Sequence, residues 1–204
     1  VQAGLPKEAG LSAGVLGQWD KVLDRIPAGK AGDRAQSYFR AVALLESGRT
    51  REALAALGDL TGAKGGFAGA AQEKLLEYAF DLGRYDDAIR IAGTAPPQKF
   101  LDADAYHYRH GQSLFLRKRY EEAKEPLAKV QGGKWKAYAR HSLALIAFAS
   151  GDPGAAIERL GEALDAAQGH PDRGVRRALV DRFRLLRGRI IRQASLEAGE
   201  LDKD

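Results

Sequence analysis

The sequence predicts an all-α fold of stacked helical hairpins with a C-terminal capping helix. Apolar residues recur at i, i+3 and i+4 along the chain, whereas a strand would alternate them. Similar short stretches return every 33 to 35 residues. The last copy is followed by one long amphipathic stretch, which we expect to cover the exposed end of the stack.

The repeat is clearest at a turn and at a small residue five positions after it. The stretches "GRYDDAIRIA" (83–92) and "KRYEEAKEPL" (118–127) share an aromatic residue, two acids and an alanine. Aligned copies place the turn at Gly48, Gly83, Lys118 and Gly151, and the alanine at Ala53, Ala88, Ala123 and Ala156. Glycine adopts the left-handed conformation that ends a helix, and alanine lets two helices approach closely. Each copy is therefore predicted to be a helical hairpin.

These units resemble the tetratricopeptide repeat, a helix-turn-helix unit of about 34 residues. The matching residues are Gly83, Tyr85 and Ala88 in one copy, Gly111, Tyr120 and Ala123 in the next, and Gly151 and Ala156 in the fourth. Thr50 and Pro153 replace the aromatic residue, and Pro126 falls inside a second helix. The resemblance implies a right-handed superhelical solenoid whose first helices line a concave face.

The predicted organisation has three parts. Residues 1–16 form an N-terminal segment, 17–171 the tetratricopeptide-like repeat domain, and 172–204 a basic C-terminal capping helix and tail. A partial copy with Gly17, Trp19 and Val22 begins the repeat domain.

The resemblance also implies a binding face rich in aromatic side chains. Its candidate residues are Tyr38, Phe80, Tyr108, Gln112, Phe115, Tyr138, His141 and Phe148. Aromatic rings offer a large contact area with few torsions to freeze, which suits the binding of a protein or peptide segment. The same rings could instead fill the seams between units. If the solenoid curls closed, a carrier of a lipid or other hydrophobic molecule is the alternative function.

The stretch "RGVRRALVDRFRLLRGRIIR" (173–192) combines an apolar stripe with many arginines. The stripe contains Val175, Leu179, Phe183, Leu186 and Ile190. Arg173, Arg176, Arg177, Arg184 and Arg187 gather beside it, whereas Arg182 and Arg189 fall towards its apolar side. We favour a solvated capping face with local ion pairs over contact with an anionic membrane surface or an acidic partner. Binding to nucleic-acid phosphates is the least favoured interpretation.

The sequence contains no convincing catalytic or cofactor motif. In "DADAYHYRH" (102–110), His107 and His110 could share a helix face with a metal, but Asp102 and Asp104 are better explained as helix caps. The glycine-rich "GAKGGFAG" (62–69) lacks the lysine and hydroxyl residue of a phosphate-binding loop and is predicted to be a flexible connector. We therefore expect a protein that is not an enzyme and holds no cofactor and no metal.

Location is inferred from what the sequence lacks. It contains no cysteine and no methionine, and no apolar run has the roughly 18–20 residues that cross a bilayer. Since translation needs an initiator, we expect the natural start to have been removed. An exported chain, periplasmic or associated with the outer membrane, is favoured over a cytoplasmic one.

Overall fold

The computed structural model describes residues 18–26, 33–62, 67–94, 102–132 and 134–199. Over these ranges the chain forms ten α-helices and no strand, which confirms the predicted all-α class. The helices are α1 (Trp19–Arg25), α2 (Arg34–Glu46), α3 (Thr50–Thr61), α4 (Ala68–Asp81), α5 (Tyr85–Ala92), α6 (Ala103–Leu116), α7 (Tyr120–Ala128), α8 (Trp135–Ala149), α9 (Pro153–Gln168) and α10 (Arg173–Glu197).

The helices belong to two compact units. Unit 1 comprises Val1–Asp81 and Arg90–Leu101, and unit 2 comprises Leu82–Ile89 and Asp102–Asp204. Within unit 1, α2 packs against α1 and α3, and α3 packs against α4. Within unit 2, α8 packs against α6, α7 and α9, and α9 also packs against α10. Each unit therefore contains helical hairpins stacked on one another. The three-part division drawn from the sequence stays a prediction.

The four predicted turn residues all adopt the left-handed conformation. Their φ angles are +76° at Gly48, +69° at Gly83, +60° at Lys118 and +79° at Gly151. The backbone bonding also repeats. Arg49 N donates to Leu44 O (2.8 Å), Arg119 N to Leu114 O (2.9 Å) and Asp152 N to Ala147 O (3.0 Å). These are the bonds that satisfy the last carbonyl groups of a helix. The turn positions predicted from the repeat are therefore confirmed, including the one that holds a lysine.

Sequence reasoning missed an ion pair that recurs just after these turns. An arginine follows the turn residue and pairs with the acid three positions later, in the first turn of the second helix. The pairs are Arg49–Glu52 (2.7 Å), Arg84–Asp87 (2.5 Å) and Arg119–Glu122 (2.5 Å). The fourth hairpin differs, because there Asp152 Oδ1 accepts a hydrogen bond from Ala155 N at 2.8 Å.

Small residues allow close approach within the hairpins, as predicted. The four alanines of the repeat, Ala53, Ala88, Ala123 and Ala156, are all 0% exposed. Gly111 is the tightest point, since a Cβ added there would lie 2.6 Å from Cγ of Leu127 on α7. No side chain larger than hydrogen fits at Gly111 without displacing α7.

The C-terminal helix closes the core of unit 2. Its stripe residues Leu179, Phe183 and Ile190 are 6%, 1% and 1% exposed. They pack in one cluster with residues of α8 and α9, such as Ala144 and Leu160. This burial confirms the predicted apolar stripe. None of the helices among the described residues is both long enough and apolar enough to cross a membrane.

Candidate functional site

Six of the eight predicted binding residues lie on two adjacent helices of unit 2, and four of them make up the candidate site. Tyr108 and Gln112 belong to α6, and Tyr138 and His141 belong to α8. The ring centroids of Tyr108 and Tyr138 are 6.0 Å apart. Ser142 Oγ donates to Gln112 Oε1 at 2.6 Å, which ties the two helices together. We call these four residues the α6/α8 face.

Tyr108 is held in place by the start of α8. Its ring stacks on Trp135, with centroids 5.0 Å apart and planes 22° apart. The guanidinium of Arg109 and the ammonium of Lys134 lie 5.2 and 4.6 Å from the same indole ring. Burial, with a smaller contribution from Tyr138, raises the pKa of Tyr108 to about 12. The phenol is therefore neutral at pH 7, and its hydroxyl can donate or accept a hydrogen bond.

His141 joins the α6/α8 face to α10. Its imidazole stacks on Phe183, with centroids 4.9 Å apart and planes 19° apart. Burial, and then the positive charge of Arg182, lower the pKa of His141 to about 4. The ring is therefore uncharged at pH 7.

A pocket of about 450 Å³ lies beside this stack and opens to solvent. Its lining combines apolar and basic side chains from α8 and α10: His141, Leu145, Arg182, Leu185, Leu186 and Arg189. The helical wheel places Arg182 and Arg189 towards the apolar side of α10, in agreement with this position. Their location beside α8 was not predicted, because it depends on how α10 docks.

Two other predicted residues of unit 2 pack mainly against its core. Phe115 contacts the ring of Tyr120, with centroids 5.7 Å apart, and both border the cluster around Leu127. Phe148 packs against the cluster that contains Phe183. Both rings remain partly exposed, so packing and contact with a partner are compatible.

In unit 1 the predicted tyrosine is a core residue. Tyr38 is 9% exposed and lies in a cluster with Leu57 and Ala71. Its ring centroid is 5.7 Å from that of Phe67, in the stretch predicted to be a flexible connector. Burial, with the charges of Glu73 and Glu77, raises the pKa of Tyr38 to about 12. Phe80, on α4, is partly buried. A single binding face running through both units stays a prediction.

The arginines predicted as a basic surface have separate environments. Arg173, Arg177, Arg184 and Arg187 are exposed. Arg177 Nε lies 4.0 Å from Asp181 Oδ2. Arg176 is half-buried and donates from Nε to His170 O at 3.1 Å.

The acids beside His107 and His110 have structural partners. Asp102 Oδ1 accepts a hydrogen bond from Ala105 N at 2.9 Å and so caps α6, as predicted. Asp104 instead accepts from Gln131 N and Gly132 N, at 2.9 and 3.0 Å, and fixes the end of α7. In the part of the chain that the structure describes, no three acidic or histidine side chains are placed to share a metal ion.

Comparison with known proteins shows which known fold the chain resembles. No protein-family model and no curated protein sequence matches the chain. Solved structures of MamA, a tetratricopeptide-repeat protein, do resemble it. One crystal form of MamA AMB-1 has a TM-score of 0.59 at 15% identity and covers 81% of this chain and 99% of its own. MamA MSR-1 has a TM-score of 0.58 at 16% identity, covering 80% and 95%. The chain therefore has a tetratricopeptide-like helical-repeat fold.

Proposed function

We propose that the chain is a non-catalytic helical-repeat protein that binds a segment of a partner protein on the α6/α8 face of unit 2. The observation that carries this proposal is a row of partly exposed side chains whose positions are already fixed. Tyr108 is stacked on Trp135, Gln112 is bonded to Ser142, and His141 is stacked on Phe183. Since little side-chain freedom is lost on binding, such a surface binds at a low entropic cost.

The chemistry of the face suits a polypeptide. Aromatic rings provide apolar contact area, while the hydroxyl and amide groups can bond to a peptide backbone. A lipid carrier needs a largely apolar, enclosed cavity. The pocket beside His141 opens to solvent and has Arg182 and Arg189 in its wall, so it favours a protein partner over a lipid. A location in the cell envelope stays a prediction from the sequence.

Because the sequence of the partner segment is not known, the test first selects binding peptides from a random library. The full chain is immobilised and challenged with a phage-displayed library of random peptides, and selected peptides are synthesised. Their affinities for the wild type and for Tyr138→Ala are measured by fluorescence anisotropy. We expect Tyr138→Ala to weaken binding about tenfold, as for an aromatic contact residue.

Tyr120→Ala is the matched control. Tyr120 is also a half-buried tyrosine of unit 2, but it lies at the start of the second helix α7. We expect its replacement to change affinity less than about twofold. Thermal melting of both variants checks that they remain folded. Failure to select any peptide, or equal binding to all three proteins, would overturn the proposal.

A further inference from the structure

The helix α10 carries more positive charge than the chain as a whole. It contains eight arginines and two carboxylates, a formal charge of +6, whereas the whole chain has a formal charge of +5. Arg182 and Arg189 are exposed and lie within ion-pair distance of no carboxylate among the described residues. The side of α10 that they occupy therefore has a net positive charge.

Apolar surface accompanies this charge. Leu185, between the two arginines in sequence, is 66% exposed. Leu185 and Arg189 line both the pocket beside His141 and a shallower depression of about 620 Å³ along α10. At Gly188, within that depression, an added Cβ would meet no atom within 4 Å. The depression is also lined by Arg184, Arg192 and one carboxylate, Asp181. The surface thus offers an exposed leucine in a lining with net positive charge.

We propose that this surface binds an acidic amphipathic helix of the partner protein, with two carboxylates seven residues apart facing Arg182 and Arg189. The inference rests on the proposed function and names the chemistry of the bound segment. Arginine pairs well with carboxylates because its planar guanidinium can donate two parallel hydrogen bonds. Apolar side chains between the two acids would cover Leu185 and Leu145.

The spacing of the two arginine positions along α10 favours a partner helix over an extended peptide. Seven residues of α-helix rise about 10.5 Å and return to nearly the same side, within about 20°. Two acids at i and i+7 of a partner helix reproduce this separation on one face. In an extended strand, side chains on one face recur about every 6.7 Å, so pairs fall at about 6.7 or 13.4 Å. Neither value matches the rise of about 10.5 Å between the two arginine positions as closely.

The experiment measures binding of three synthetic peptides to the full chain. All share an alanine-rich helical host with two leucines. The first has glutamates at i and i+7 flanking the leucines, the second has glutamines there, and the third has glutamates at i and i+5, which point to different sides of the helix. By fluorescence anisotropy at low ionic strength, we expect the first to bind about tenfold more tightly than the other two.

Matched double variants separate the site from general charge. Arg182→Gln/Arg189→Gln should weaken binding of the first peptide about tenfold. Arg173→Gln/Arg187→Gln removes the same charge from two exposed positions outside both pockets, and we expect less than about a twofold change. Equal losses in the two variants would overturn the inference, because binding would then follow net charge alone.

Three further outcomes are decisive. Stronger, Arg182- and Arg189-dependent binding to vesicles of phosphatidylcholine and phosphatidylserine than to the first peptide would overturn the inference in favour of a lipid surface. If library peptides bind through Tyr138 while none of the acidic peptides depends on Arg182 and Arg189, this inference fails and the proposed function stands. If the library peptides bind Tyr138→Ala as tightly as the wild type, while the first acidic peptide still depends on Arg182 and Arg189, the proposed function is contradicted.

Discussion

The imidazole of His141 lies face to face with the phenyl ring of Phe183, at a centroid distance of 4.9 Å. Phe183 is 1% exposed, so this contact connects a residue of the α6/α8 face to the core of unit 2. The positive charge of Arg182 acts on the same imidazole. The charge state of His141 is therefore coupled to the docking of α10.

The free energy of unfolding should fall as the pH is lowered, because protonation of His141 is unfavourable in the folded chain. The pKa of His141 is about 4 in the folded chain, compared with an ordinary value of 6.5. Below pH 6.5 the unfolded chain binds a proton that the folded chain does not, so stability is lost as the pH falls from 6.5 towards 4. Allowing for partial exposure of the ring, we expect a loss of about 1 to 2 kcal/mol between pH 7 and pH 5, measured by urea unfolding.

His141→Phe isolates this contribution, because it keeps a ring against Phe183 and cannot titrate. Burial also lowers the pKa of His107 and His110, so both proteins should lose some stability over the same range. The difference between them reports His141. Parallel stability curves for wild type and His141→Phe, or an NMR titration of His141 centred near pH 6.5, would contradict this prediction.

Lys118 occupies a turn position where the other three copies have glycine. Its φ of +60° is costly for a residue with a Cβ. We expect Lys118→Gly to raise the free energy of unfolding by roughly 0.5 to 1.5 kcal/mol, less than the full conformational cost because glycine also gains freedom in the unfolded chain. Lys118→Ala keeps the strained φ and should change stability little. A destabilised Lys118→Gly variant would show that the lysine side chain contributes more than its backbone costs.

Sequence could predict these turns because one backbone geometry recurs at a fixed spacing. It could not divide the aromatic side chains between core and surface. Tyr38 and Tyr108 are both first-helix residues, but Tyr38 is 9% exposed because the ring of Phe67 packs against it. Phe67 lies in a glycine-rich stretch without helical periodicity, so the sequence pattern does not predict where its ring packs. The pocket at Arg182 could not be predicted either, because its lining depends on how α8 and α10 pack against each other.

Gly111 tests how closely α6 and α7 approach. A Cβ at this position would lie 2.6 Å from Leu127 Cγ and 3.0 Å from Leu127 N, a backbone atom that cannot rotate away. We expect Gly111→Ala to lower the free energy of unfolding by about 1 to 3 kcal/mol. Gly161→Ala on α9 meets no atom within 4 Å, so helix propensity should instead raise stability by up to about 1 kcal/mol. Changes of the same sign in the two variants would contradict the close approach of Gly111 to Leu127.

Phe183 tests whether α10 is an integral part of unit 2. Removing this buried ring leaves a cavity among Leu160, Leu179 and the neighbouring side chains, and we expect Phe183→Ala to cost about 3 to 5 kcal/mol in urea unfolding. Leu185→Ala, on the exposed side of the same helix, should stay within about 0.5 kcal/mol of the wild type.

The milder Phe183→Leu keeps the site apolar but removes the ring that covers His141. Its His141 pKa, followed by NMR, should rise from about 4 towards 6.5 as the imidazole gains solvent. If Phe183→Leu leaves the pKa of His141 unchanged, the stack does not bury His141. The proposed coupling between the charge state of His141 and the docking of α10 would then be contradicted.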